Sequence, residues 1–260
     1  MELNLHEWGD PSAPAVVCLH GVNAHGRRFR KLAEERLAQR FRVLAPDLRG
    51  HGNSDWEPPW TFSTHAHDVL ETLDAAGVRQ AQWVGHSFGG RLVLELAVLA
   101  PDRIQRAALL DPAIQLLPHV GFDFAERERA ERVFDSAEAA ITERLETGSS
   151  TQREYLEEEV REHLVQHPDG WRFRYCQSAV VSMYGELTTP APPPETLRVP
   201  ALLVHAGEFG LVREDQIDAY RLALGDKIDV VEVPGGHMVY WDAYEQTANA
   251  VARFLKDSRP

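Results

Sequence analysis

The sequence predicts an α/β fold, a mostly parallel, doubly wound sheet with flanking helices that is interrupted by an inserted block of helices. Short continuous apolar runs alternate with longer amphipathic stretches through the first half of the chain, and runs of the same kind return near its end. Beyond Pro112 the alternation gives way to a region dense in Glu, Arg and Ala. A serine flanked by glycines stands where one apolar run meets the next amphipathic stretch.

The runs at residues 15–19, 41–45, 81–84 and 106–110 are too short for helices and show no polar alternation. Such runs suit strands covered on both faces. Between them, residues 29–40, 64–77 and 89–100 carry apolar side chains at helical spacing, and Gly77 is a natural C-terminal stop. Strand, helix, strand in this order is the βαβ pattern of a parallel sheet. Over residues 122–167 the Leu, Val, Ile and Phe positions predict two or three amphipathic helices, and residues 171–187 a further one. Pro190-Ala191-Pro192-Pro193-Pro194 then reads as a stiff extended connector. Strand-like runs resume at 201–205 and 228–233, and the last helix is predicted over 243–256. The expected division is a core of residues 1–112 and 197–260 with a helical cap inserted at 113–196, a size compatible with a small subdomain.

Acidic residues outnumber basic ones, 40 to 27, for a formal charge of −13. That field repels phosphate backbones and anionic lipid, which argues against nucleic acid and membrane surfaces as partners. The two cysteines, Cys18 and Cys176, lie far apart and show neither metal-binding spacing nor a disulfide framework. The acidic start of the chain has no apolar core of a signal peptide, and no apolar stretch is long enough to span a bilayer, so a cytoplasmic location is expected. No cofactor or metal is called for, and the chain is expected as a monomer or homodimer.

Gly85-His86-Ser87-Phe88-Gly89 follows the run ending at Val84 and precedes a helical stretch. A serine on a sharp strand-to-helix turn takes a strained backbone and projects its hydroxyl clear of the sheet. Side chains at Gly85 and Gly89 would clash where strand and helix converge. The turn also sets the Phe88 amide at a helix N-terminus, where it stabilises negative charge. Ser87 is therefore the candidate nucleophile. Its base is expected in Gly235-Gly236-His237, after the strand ending at Val233, where the glycines permit a tight loop carrying His237 to the sheet edge. A second oxyanion donor is expected in the loop after the first parallel strand, His20-Gly21-Val22-Asn23, with the Val22 N–H as candidate beside that of Phe88. His20 is read as an organiser of that loop, and His86 is given no role.

His20-Gly21, Asp47-Leu48-Arg49-Gly50-His51-Gly52-Asn53-Ser54, Gly85-His86-Ser87-Phe88-Gly89-Gly90 and Gly235-Gly236-His237 together resemble the α/β-hydrolase superfamily, in its serine, carboxylesterase-like branch. The motifs stand in family order and span almost the whole chain. The resemblance implies a structural role for the Asp47 to Ser54 segment. It also implies an acid in the loop after the strand that follows the cap, yet that loop reads Gly207-Glu208-Phe209-Gly210, with Gly210 where an Asp is common. Asp111, which ends its strand before Pro112, stands at a position that some branches use for the acid. Glu208 is the alternative acid, and Asp215 or no acid at all remain open. A short, rigid carboxylate fixes the imidazole tautomer best, which favours Asp111.

A serine at position 87 argues against the dehalogenase and epoxide-hydrolase branches, which use an Asp nucleophile. The reading that follows is hydrolysis of a small-molecule carboxylic ester or lactone through an acyl-enzyme on Ser87. C–C bond or amide hydrolysis, acyl transfer, perhydrolysis and a hydroxynitrile lyase fit the same residues. A non-catalytic ligand-binding protein on this fold is the reading from a different class, and Gly210 counts for it.

Overall fold

The computed structural model describes residues 1–146 and 150–256. In chain order its elements begin with β1 (Leu5–Trp8), β2 (Ala15–Leu19), α1 (Arg30–Leu32), β3 (Arg42–Pro46), α2 (Phe62–Ala75), β4 (Ala81–His86), α3 (Phe88–Leu99) and β5 (Ile104–Leu110). There follow α4 (Pro118–Arg129), α5 (Ala137–Glu146), α6 (Arg153–His163), β6 (Leu164–His167), β7 (Gly170–Phe173) and α7 (Gln177–Glu186). The chain closes with β8 (Ala201–Ala206), α8 (Glu214–Leu224), β9 (Ile228–Val233), α9 (Val239–Asp242) and α10 (Tyr244–Lys256). No helix among the described residues is long and apolar enough to cross a membrane.

Seven strands form one sheet in the order β1-β3-β2-β4-β5-β8-β9, parallel throughout except for β1, which runs antiparallel to β3. Successive side chains of a strand point to opposite faces, and here both faces are covered. Val17, Leu19, Leu44, Leu109 and Leu203 pack with α2, α3 and α8 residues such as Val69, Leu92 and Ile217. Their neighbours Val16, Cys18, Val43, Leu110 and Leu202 pack on the other face with Phe29, Leu32, Val251 and Phe254. Two buried faces are why these strands read as unbroken apolar runs. Helix α2 is set by its ends: the Thr61 hydroxyl accepts the Thr64 N–H at 3.2 Å, and Gly77 takes φ +74° just past the last turn.

The structure departs from the sequence reading at three places. The helix expected over residues 29–40 is broken into a 3-10 turn at Gly26–Phe29, α1, and a π turn at Ala33–Leu37. The helix expected over 171–187 begins only at Gln177, because Gly170–Phe173 pairs antiparallel with Leu164–His167. Pro168-Asp169 closes that hairpin, a turn dipeptide followed by Gly170 at φ +140°. The edge strand β1 is nowhere fully buried, with Glu7 exposed, and lacks the continuous apolar signal of its neighbours.

Candidate active site

Strand β4 is the middle of the seven, and the chain turns sharply at its C-terminal end. Ser87 lies between the last residue of β4 and the first of α3 with φ +54° and ψ −116°. A non-glycine residue is costly there and persists only where its surroundings fix it. They do: the Ser87 N–H donates to the Leu110 carbonyl at 3.1 Å, and the Ser87 carbonyl accepts the N–H groups of Arg91 and Ala113, each at 3.1 Å. A Cβ on Gly85 would run into the Gly89 carbonyl, and one on Gly89 into the Leu19 carbonyl, so strand and helix converge only because both are glycine. The Phe88 ring is buried and stacks on Phe62 of α2 at 4.8 Å, which leaves its N–H in the first turn of α3.

His237 follows β9, three strands from β4, or about 14 Å at ordinary strand spacing. The loop after Val233 crosses that span, and His237 comes to rest on Asp111 at the end of β5. Its Nδ1–H donates to Asp111 Oδ2 at 2.6 Å. Asp111 is fully buried, and its Oδ1 accepts the Ala206 N–H at the end of β8 at 3.1 Å. Both carboxylate oxygens are thus held, and Nε2 of His237 is left as the acceptor nitrogen. Of the other candidate acids, Glu208 is exposed and makes no hydrogen bond to His237 among the described residues. Asp215 pairs with Arg213 at 2.9 Å at the start of α8.

Two contacts of His237 went unread in the sequence. His86 Nε2–H donates to the His237 carbonyl at 2.9 Å, and the two rings lie 4.6 Å apart. Burial, reinforced by the nearby His237, holds the His86 pKa well below the ordinary histidine value, so it acts as a neutral strut for the loop. Phe209 stacks nearly parallel on the His237 ring at 5.1 Å. Neither residue stands out by pattern. Only the meeting of distant loops gives them a role.

The loop after β2 reaches the same place. A Cβ on Gly21 would lie 3.0 Å from Ser87 Cβ, so the backbone there passes directly against the serine. His20 is buried, accepts the Leu48 N–H at Nε2 and donates Nδ1–H to the Gly21 carbonyl, each at 2.8 Å. It therefore pins the loop and stays neutral, its pKa driven down chiefly by burial. Asp47 anchors the neighbouring segment. Its carboxylate accepts the N–H groups of Gly26 and Asn53 and bonds to Asn4 and His6. Burial alone would raise its pKa, yet the His6 bond and the two amides hold it far below the ordinary range.

Gly21, Val22, Ser87, Gly236, His237 and Phe209 line one cleft of about 540 Å³ over the sheet's C-terminal edge. Its far wall comes from the segment between β5 and β8, through Phe124, Arg127, Glu128 and Tyr184 among others. Bonds at two carboxylates tie that segment to the core beside the cleft. Glu159 of α6 accepts Nε–H of Arg28 at 2.9 Å and a second N–H from its Nη2, and bonds His25 Nε2 at 3.0 Å. Asp242 of α9 accepts the Thr151 hydroxyl at 2.7 Å. Among the described residues no group of three or more His, Cys, Asp or Glu side chains is placed to hold a metal ion.

Comparison with known proteins agrees with this architecture. Residues 14–153 match the family described as alpha/beta hydrolase fold. The chain is 32% identical over 244 residues to lipase LipV of Mycobacterium tuberculosis, covering 92% of each protein. It is 25% identical over 247 residues to esterase YbfF of Escherichia coli, covering 93% of each. In structure it resembles E-2-(acetamidomethylene)succinate hydrolase with a TM-score of 0.90, at 22% identity and with 98% of this chain and 95% of that one covered. From a strained serine on the central strand to a full-length likeness with a lipase, these findings make the chain a member of the α/β-hydrolase fold family.

Proposed function

We propose that this protein is a serine hydrolase of small-molecule carboxylic esters, with Ser87 as nucleophile, His237 as general base and Asp111 as the acid that orients it. The observation that carries the reading is the 2.6 Å bond from His237 Nδ1–H to buried Asp111, at the rim of the cleft that Ser87 lines. A carboxylate there keeps the proton on Nδ1 and leaves Nε2 to take the hydroxyl proton of Ser87. The alkoxide attacks the ester carbonyl carbon, and its oxygen gains the negative charge, which the N–H groups of Val22 and Phe88 stabilise. Collapse breaks the C–O bond, His237 returns the proton to the leaving alcohol, and the acyl group stays on Ser87. Water, deprotonated by the same base, then releases the acid. The lipase and esterase relatives favour an ester over the other carbonyl chemistries this constellation can perform. Residues 113–196 act in this reading as a cap that shapes the acyl or alcohol side of the cleft.

The test is labelling with a fluorophosphonate followed by peptide mass spectrometry. The adduct is expected on the peptide containing Ser87, with p-nitrophenyl butyrate hydrolysis lost in step. An unlabelled Ser87 in folded protein would refute the serine mechanism and favour a ligand-binding role.

A further inference from the structure

The loop that carries His237 is braced from the segment inserted between β5 and β8. Directly after His237 and Met238 the chain forms α9, and the N–H of Asp242 at its end donates to the Met238 carbonyl at 2.8 Å. This turn folds Asp242 back onto the glycine pair that precedes the histidine. Gly235 takes φ +91°, and a Cβ on it would lie 3.0 Å from Asp242 Cβ. A Cβ on Gly236 would lie 2.8 Å from Asp242 Oδ2 and 2.7 Å from Ser150 Oγ, two atoms bonded to each other. The glycine pair thus lets a carboxylate and a serine of the inserted segment press against the backbone that carries the base.

Both oxygens of Asp242 are engaged by that segment. Oδ2 accepts the Ser150 hydroxyl at 2.9 Å, and Oδ1 accepts the hydroxyl of buried Thr151 at 2.7 Å. A hydroxyl-to-carboxylate bond is charge-assisted, so the pair holds the side chain more firmly than neutral partners would. The two hydroxyls stand just before α6, and α6 itself meets α9 where Tyr155 stacks on Trp241 at 5.4 Å. Tyr240, next in line, packs edge-on against the His86 ring at 5.0 Å, and His86 donates to the His237 carbonyl. Residues 240–242 therefore join α6 and the two residues before it to the supports of His237.

We propose that Asp242 is a positioning residue for His237, and that seating the inserted segment on it sets the base in place. The hydroxyls of Ser150 and Thr151 hold the carboxylate, the carboxylate holds Gly235 and Gly236, and the glycines fix where Nε2 stands relative to Ser87. Asp242 acts in this account through the histidine and not on the substrate. The contact therefore governs the rate of proton transfer, whichever acyl chain fills the cleft. A misplacement of about 1 Å from a change outside the chemistry costs up to about 100-fold. The proposal rests on the reading of His237 as general base and adds to it the device that aims it.

Two variants provide the test: Ser150→Ala with Thr151→Val, which deletes both hydroxyls and leaves Asp242, and Asp242→Ala, which deletes the acceptor. Each is assayed on p-nitrophenyl acetate, butyrate and octanoate, and by the rate at which a fluorophosphonate labels Ser87, in protein whose circular dichroism matches the parent. In both, kcat/KM should fall about tenfold or more, by the same factor within about twofold on all three esters, and labelling should slow in step. Asp242→Ala added to the double variant should cost less than about a further twofold, because the three side chains act as one unit. A loss that grows with acyl chain length, or that lies in KM alone, would make the contact part of the acyl site and overturn the proposal. So would an undiminished further loss from Asp242→Ala in the double variant, since it would separate the aspartate from the inserted segment. Should Asp242→Ala fail to fold, the double variant decides alone, because it leaves the loop's own residues unchanged. An active parent whose double variant keeps its rate on every ester sinks this inference and leaves the ester-hydrolase reading standing. A parent in which neither ester nor fluorophosphonate reacts at Ser87 removes that reading, and this inference with it.

Discussion

Replacing Asp111 by Asn alters one atom of the proposed site, and the surroundings of that atom set the size of the effect. Asp111 accepts from two donors, the Ala206 N–H at Oδ1 and His237 Nδ1–H at Oδ2. An amide has one acceptor and one donor end. If its oxygen keeps Ala206, its NH2 faces His237 and forces the ring proton onto Nε2, where the base is needed. If it flips, the base is restored, but two N–H donors face each other in a fully buried site, at a cost of about 1–3 kcal/mol. Through tautomer and orientation alone the loss is then roughly 5- to 150-fold. The charge that offsets the imidazolium is lost as well, and the sum approaches the 10⁴-fold, or about 5.5 kcal/mol, seen when such an acid is made neutral. The assay is kcat/KM on p-nitrophenyl butyrate for protein whose circular dichroism matches the parent. Activity within threefold of the parent would refute the role given to Asp111, and a larger loss in Glu208→Gln than in Asp111→Asn would transfer it to Glu208.

Ser87→Ala should lower kcat by roughly 10⁶-fold with the fold intact, measured against the parent on the same ester; retained activity would exclude an acyl-enzyme at this position. Glu159→Ala should destabilise by about 3–5 kcal/mol in urea unfolding, because it leaves Arg28 buried without its partner; a change below 1 kcal/mol would mean the pair is not buried in solution. Burial lowers the pKa of His20, His51, His65, His86 and His163, to about 4 for His51 and about 3 for His65. The unfolded chain then protonates first, from about pH 6.5 downward, so stability is intact above that pH and is lost on acidification at about 1.4 kcal/mol per pH unit for each such histidine. The thermal midpoint should fall steeply between pH 7 and pH 5, and a flat profile over that window would contradict the neutral, buried state of these rings.

The sheet was legible because its strands are buried on both faces, so that residues 15–19 or 201–205 leave a continuous apolar trace that no helix of that length would leave. The elbow was legible for a steric reason, since glycine on both sides of Ser87 is demanded by atoms already implied by strand and helix. What stayed hidden depends on contacts between segments far apart in the chain. His86 looks like a neighbour of the serine, and only the return of the loop after β9, some 150 residues later, makes it a support for His237. The hairpin β6–β7 was missed although Trp171, Phe173 and Tyr175 alternate at strand spacing, and the turn signal of Pro168 and Asp169 was the second cue to it. The arginines that line the cleft stayed hidden as well, because Arg28 and Arg144 belong to different parts of the chain and meet only in space.

The proposed acid at the end of β5, in place of one after β8, has a simple geometric account. The two strands are adjacent and parallel, with Leu110 opposite Val204, so carboxylates leaving either strand end start within one strand spacing of each other. His237 Nδ1 approaches from beyond both. What decides between them is which backbone can hold the carboxylate against that nitrogen. Asp111 takes φ +39°, donates its own N–H to the Val204 carbonyl at 2.6 Å, and receives the Ala206 N–H on the oxygen that does not face the histidine. β8 therefore still takes part in the proposed site, as the clamp on a carboxylate supplied by its neighbour. The loop after β8, relieved of that duty at Gly210, presents Phe209 to the face of the imidazole instead. An Asp introduced at Gly210 would stand in exposed backbone at φ +69°, without a strand end to hold it. In the Asp111→Asn background it should therefore restore less than a tenth of the lost kcat/KM; full rescue would show that the acid's position is free to migrate and that the clamp from Ala206 is dispensable.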